Sequence, residues 1–283
     1  MKKTGRRSSN IEDRRGGNSS LVVGGGGLGA LVLALVVTML GGDPSIVLDQ
    51  VAQSPSQSQA SSRQTSPAED ELAEFTSIVL ADTEDTWHQI FREEIGQPYQ
   101  EPALVLFSGS VQSGCGAAQS AMGPFYCPAD QKVYIDLSFY NDLKSRHQAP
   151  GDFAQAYVVA HEVGHHVQNI LGISNQVRQL QSRASKAEAN QLSVRLELQA
   201  DCFAGVWANR ADKARDILES GDIEEALNAA SQIGDDRLQE QSRGFVVPES
   251  FTHGSSAQRV RWFKQGLATG NIEQCNTFSG GQV

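Results

Sequence analysis

The sequence predicts an α+β domain in which long helices carry the chemistry and a small antiparallel sheet supports them. Three observations predict it. Residues 68–95, 153–171 and 173–210 repeat apolar positions at helical spacing. Residues 103–107 and 132–139 are short β-like runs, the second alternating Val133, Ile135 and Leu137 with Tyr134 and Asp136. Inside the most apolar of the helical runs stands His161-Glu162-Val163-Gly164-His165-His166. With 283 residues, 39% of them apolar, the chain can build one sizeable core.

In chain order, residues 1–20 set Lys2, Lys3, Arg6, Arg7, Arg14 and Arg15 against Glu12 and Asp13, although the whole chain carries a net charge of −10. The globular part has no basic patch, which argues against nucleic acid as a partner. Residues 21–40 are uncharged and Leu/Val-rich after a glycine cluster. At 1.5 Å per residue they reach about 30 Å, the thickness of a bilayer core, and so predict a single transmembrane helix. The basic flank predicts residues 1–20 as a cytoplasmic tail. The remainder is then expected in the periplasm or extracytoplasmic space, anchored in the cytoplasmic membrane. The run is longer than a signal-peptide core and lacks a small-x-small cleavage site, which favours an uncleaved anchor. Residues 41–67, rich in Ser, Gln and Pro, read as a flexible linker. Residues 68–283 are the expected domain.

Within it, Leu72, Phe75, Val79, Trp87, Ile90 and Phe91 recur at helical spacing, and Gly96-Gln97-Pro98 ends that helix. Residues 108–127 are glycine-rich turn chemistry between the two β-like runs. Four cysteines suit an oxidising exterior and allow three pairings, of which Cys115–Cys127 with Cys202–Cys275 is preferred.

Pro150-Gly151, Asp152 as an N-cap and Gly172 as a stop mark one helix over 153–171. Residues four apart share a helical face, so the imidazoles of His161 and His165 can converge on one ion, half of a tetrahedral zinc shell. Glu162, rotated by about 100°, falls beside that ion in the general-base position. His166 points off this face and reads as a packing histidine. Downstream, Glu197 and Asp201 are again four apart. Two carboxylates sharing a face call for a cation between them. Glu197 would complete a His₂Glu zinc site with one open position, and Asp201 would orient a ligand histidine through its other nitrogen. Asp222 to Glu225 and Ser255 to Gln258 match capping-box spacing. Beside the second box, His253 is placed to stabilise an oxyanion and Arg259 to hold Glu197 or Asp201.

These segments carry a resemblance. His161 to Gln168, Glu197 to Gly205, Gly123 to Pro128 and Thr252 to Arg259 together resemble the bacterial neutral zinc metallopeptidase family of single-pass membrane proteins, over residues 69–278. The Glu-x-x-Ala-Asp segment is also similar to that of integral-membrane M48-type peptidases. The resemblance implies a zincin-like domain with gluzincin-type helices, Zn²⁺ as cofactor, His161, His165 and Glu197 as its ligands, and Glu162 as the catalytic residue. The substrate class it implies is a peptide or protein, cleaved by metal-activated water. Two other classes share the helix: a zinc amidohydrolase of deformylase type, and a non-catalytic membrane-tethered scaffold around a structural zinc.

Overall fold

Ser66 starts the first long helix of the computed structural model, which describes residues 1–16 and 65–279. Its hydroxyl accepts from the Glu69 amide while the Glu69 carboxylate accepts from the Ser66 amide, so a capping box opens α1 (Pro67–Ile90). One wider turn, Phe91–Ile95, follows, and Gly96 ends it at φ 74°. The helix buries Phe75, Val79, Leu80, Trp87 and Ile90 against the rest of the core.

The sheet is mixed, which corrects the antiparallel expectation. Strands β1 (Ile11–Asp13), β2 (Ala103–Phe107), β5 (Phe125–Cys127) and β6 (Lys132–Asp136) lie in the order β1-β2-β6-β5. β1 and β6 both run parallel to β2, and only β5 is antiparallel to its neighbour. A separate hairpin, β3 (Ser110–Ser113) with β4 (Gly116–Gln119), is joined to the end of β5 by the Cys115–Cys127 disulfide. β6 stops at Asp136 because that carboxylate accepts the amides of Ser138 and Gly109, turning the chain into α2 (Ser138–Ser145). Residues 137–139 are therefore not strand.

The first fifteen residues are part of this folded unit. β1 hydrogen-bonds along β2, and the Ser8 and Asn10 side chains both donate to the buried Glu84 on α1. Arg15 ties Asp13 to the first turn of α1, at the Glu69 carbonyl and Asp70. A strand cannot share a sheet with residues on the far side of a bilayer. The expected arrangement, with the N-terminus in the cytoplasm and the domain in the periplasm, is overturned by this pairing. Among the described residues no helix is long and apolar enough to cross a membrane. The anchor expected over 21–40 and most of the linker expected over 41–67 lie outside the described residues.

Helix α3 (Asp152–Ile170) runs through the core, buried on almost every side. Gly151 and not Asp152 is its N-cap, and Asp152 instead faces the Met1 ammonium, which Asp222 also contacts. Leu171 caps its other end and Gly172, at φ 77°, redirects the chain into α4 (Ile173–Gln181). A capping box at Ser185 opens the 30-residue α5 (Lys186–Arg215). The box expected at Asp222 does not form. Gly221 caps α6 (Asp222–Gln232), the Asp222 carboxylate accepts the Glu219 amide, and Glu225 accepts the Phe153 amide at the start of α3. After α7 (Asp235–Arg243), the Ser255–Gln258 box does open α8 (Ser256–Thr269). Gly205 on α5 and Gly266 on α8 meet so closely that a Cβ on either would overlap the other helix's backbone. That approach, with the Cys202–Cys275 disulfide beyond it, sets how α8 lies against α5.

Candidate metal centre

α3 crosses α5 at Gly164, where an added Cβ would come within 3.1 Å of the Ala200 carbonyl oxygen. The missing side chain lets two helical faces meet, one carrying His161 and His165, the other Glu197 and Asp201. Glu197 lies between the rings, with Oε2 3.1 Å from His161 Nε2 and Oε1 3.4 Å from His165 Nε2. One ligand atom from each of the three residues falls within 4.8 Å of the others. The histidine rings stand nearly perpendicular, centroids 4.8 Å apart.

The outer nitrogens are engaged as well. His161 Nδ1 donates to Asp201 Oδ1 at 2.9 Å, and Asp201 accepts two bonds of 2.9 Å from Arg259. Tyr157, one turn before His161, donates its hydroxyl to the same carboxylate. Asp201 is wholly buried and Arg259 3% exposed, so the two charges compensate each other away from water. His165 Nδ1 lies 2.9 Å from Gln168 Oε1.

The charges follow from this packing. Burial alone would raise the Asp201 pKa, but the Arg259 charge and then His161 outweigh it and hold the group at about 2. Burial would lower the His161 pKa, yet Asp201 and Glu197 lift it to about 9. Glu197, despite its burial, is held well below the usual carboxylate range by the two imidazoles. Burial likewise works against a charge on His165, and Glu197 raises its pKa in spite of it.

A cleft of about 730 Å³ opens over the cluster. Glu162, His165 and Glu197 lie on its lining, with Pro124, Phe125 and Tyr126 of the β5 region beside them. β5 is a terminal strand of its sheet. A family model described as "putative neutral zinc metallopeptidase" matches residues 1–278.

The chain belongs to that family.

Its relatives in this zinc metallopeptidase family include the uncharacterized protein YpfJ of Escherichia coli K12. It is 56% identical over 285 aligned positions, covering 98% of this chain and 99% of the relative. The uncharacterized proteins Mb2605 of Mycobacterium bovis and Rv2575 of Mycobacterium tuberculosis H37Rv are each 46% identical over 191 positions, 64% of either chain. No solved structure matches. The family match takes in residues 1–15 together with the cleft, as the sheet does.

Two further histidines have partners outside the cluster in this family member. His166 is fully buried and faces away from the cluster. Its Nε2 donates to the Gln100 carbonyl at 2.6 Å and its Nδ1 accepts from Tyr126 at 3.0 Å, which ties β5 to α3. Burial, only partly offset by Gln100, pushes its pKa down to about 4. His253 lines the cleft with its side chain 53% exposed, and Nδ1 lies 3.2 Å from Asp235. Asp235 also accepts the amides of Thr252, His253 and Gly254, fixing the loop. Arg259 chooses Asp201 and not Glu197.

Sequence reasoning missed Tyr157, Gln168, Tyr126 and Asp235. The first two had a readable signal, being four before His161 and three after His165 on one helix. Tyr126 stands inside the Gly123 to Pro128 segment, but its partner His166 is distant in the chain, and Asp235 had no signal.

Proposed function

We propose that this chain is a zinc-dependent peptidase in which His161, His165 and Glu197 hold the metal and Glu162 is the general base. The convergence of three ligand atoms within 4.8 Å on the floor of a cleft carries the reading. The donor set suits zinc: two neutral imidazoles offering Nε2 and one carboxylate, a set that leaves a position open. Both Nδ1 atoms already have acceptors, which aims each Nε2 at the same point. This is the ligand pattern of a zincin-like, gluzincin-type domain.

Bound zinc supplies Lewis-acid polarisation of the scissile carbonyl. Glu162 takes a proton from the attacking water and passes it to the leaving amine. Asp201, itself clamped by Arg259, keeps His161 from rotating away. His253 lines the cleft, tethered by Asp235, and is placed to donate a hydrogen bond to the developing oxyanion. An extended peptide adds along β5, the terminal strand beside the cleft, using backbone pairing for alignment.

The test is to load the full chain with zinc, incubate it with a mixed peptide library and analyse the products by mass spectrometry. Internal cleavage by the wild type and none by zinc-loaded Glu162→Gln is the expected result. Stoichiometric zinc with no cleavage of any peptide would overturn the peptidase reading and leave a structural metal.

A further inference from the structure

His161 rests its outer nitrogen on a carboxylate, whereas His165 rests its own on an amide. A carboxamide can turn either its oxygen or its NH₂ toward an imidazole, and the choice decides which ring nitrogen carries the hydrogen. Here the choice is made at a distance. The Cys275 carbonyl can only accept, so Gln199 must aim its Nε2 there, at 3.1 Å, and turn its Oε1 toward Gln168. Gln168 Nε2 then faces two acceptors, Gln199 Oε1 at 3.1 Å and the Leu196 carbonyl at 2.7 Å. Flipping either amide would set oxygen against oxygen, and Gln168 is fully buried with Gln199 5% exposed, so water cannot relieve the clash. What remains for His165 Nδ1 is an acceptor, Gln168 Oε1 at 2.9 Å. Nδ1 must therefore carry a hydrogen, which leaves Nε2, facing Glu197, as the nitrogen that can offer its lone pair to a metal ion.

We infer that Gln168 and Gln199 are positioning residues, a buried carboxamide relay from the Cys275 carbonyl to His165 that sets which nitrogen His165 offers to a metal ion. The relay acts on metal binding through the reading of His165 as a ligand, and it makes that ligand depend on the turn held by the Cys202–Cys275 disulfide. The two outer supports differ in kind. Asp201 holds His161 by charge, while the relay holds His165 by hydrogen-bond direction alone.

The test uses the full chain, labelled with ¹⁵N-histidine for NMR, and zinc titrated against a chromophoric chelator. In the metal-free wild type His165 should show a slowly exchanging Nδ1–H, a signal present whether or not the ring is charged. Gln168→Leu should keep its helix content, lose the protection of that hydrogen, and bind zinc about ten- to a hundredfold more weakly. Gln168→Glu keeps an acceptor toward His165 and should recover part of the affinity. Gln199→Leu should fall between, because Leu196 still orients Gln168. Zinc affinity of Gln168→Leu within about twofold of wild type would overturn the relay, as would a Gln168→Glu variant as weak as Gln168→Leu. So would a wild-type His165 with no hydrogen on Nδ1. A wild type that binds no zinc would instead sink the ligand reading, and the Nδ1–H signal would still decide the relay.

Discussion

Arg259 grips Asp201 through two hydrogen bonds of 2.9 Å, from Nε to one carboxylate oxygen and from a terminal nitrogen to the other. Both groups are buried, and Asp201 in turn holds His161. Removing one partner of such a pair leaves a buried charge uncompensated. Arg259→Met should therefore lose about 3–5 kcal/mol of stability in urea unfolding. A loss under about 1 kcal/mol, the range of an exposed pair, would show that Asp201 is held by other means.

Ligand and base should separate cleanly. His161→Ala and Glu197→Ala should both weaken zinc binding, whereas Glu162→Gln should retain zinc and lose peptide cleavage. Elemental analysis of the purified proteins gives the first result and a peptide assay the second. Equal zinc in wild type and His161→Ala would refute the ligand assignment.

Zinc affinity should depend on pH with a definite sign. Burial opposes a charge on His161, but Asp201 and Glu197 keep its pKa at about 9 in the metal-free protein. Below that value the imidazolium must release a proton before its nitrogen can bind a metal. Apparent affinity should fall as pH drops below about 9, by about tenfold per pH unit for each proton displaced, and level off above it. The same raised pKa acts in the opposite direction on the stability of the metal-free fold. Its contribution is complete below the unfolded value of 6.5 and is lost as pH rises through about 9. Chelator competition across pH gives the first trend, and a flat profile would contradict it.

The two disulfides should have unequal consequences. Cys202–Cys275 closes 73 residues, worth about 4 kcal/mol by loop entropy, and its turn accepts the Gln199 hydrogen bond. Cys275→Ser should thus lower both thermal stability and zinc affinity. Cys115–Cys127 closes only 12 residues beside the β3–β4 hairpin, so Cys115→Ser should disturb that hairpin and leave zinc affinity unchanged. Unchanged zinc affinity in Cys275→Ser would break the proposed link.

Deleting residues 1–15 should lower the melting temperature of the domain. It removes β1, the Arg15 bonds to α1 and the donors that satisfy Glu84, a carboxylate with about 1% of its side chain exposed. A buried acceptor stripped of partners costs about 1–3 kcal/mol. A truncated chain that melts with the full chain would show that β1 contributes nothing to the fold.

Features that depend on near neighbours in the chain were legible before any folding. The spacing of His161 and His165 puts both on one helical face, the same rule pairs Glu197 with Asp201, and Ser255 with Gln258 closes a box within four residues. Cysteine spacing favours one disulfide pairing yet leaves three possible, and only the approach of α5 to the C-terminal turn selects among them. Packing settled other features against their local signals. Asp222 and Glu225 have capping spacing, yet their carboxylates find partners at Glu219 and Phe153. β1 shows three residues, two of them charged, too short a run for alternation to register, and only the neighbouring edge of β2 makes it a strand. The positive charge of residues 1–15 reads as a membrane signal because charge along a chain does not say what it faces. In the fold Arg6 meets Glu84 and Arg15 meets Asp70, both on α1. Local periodicity sets which face a side chain occupies, but the group opposite that face is chosen by how distant elements pack.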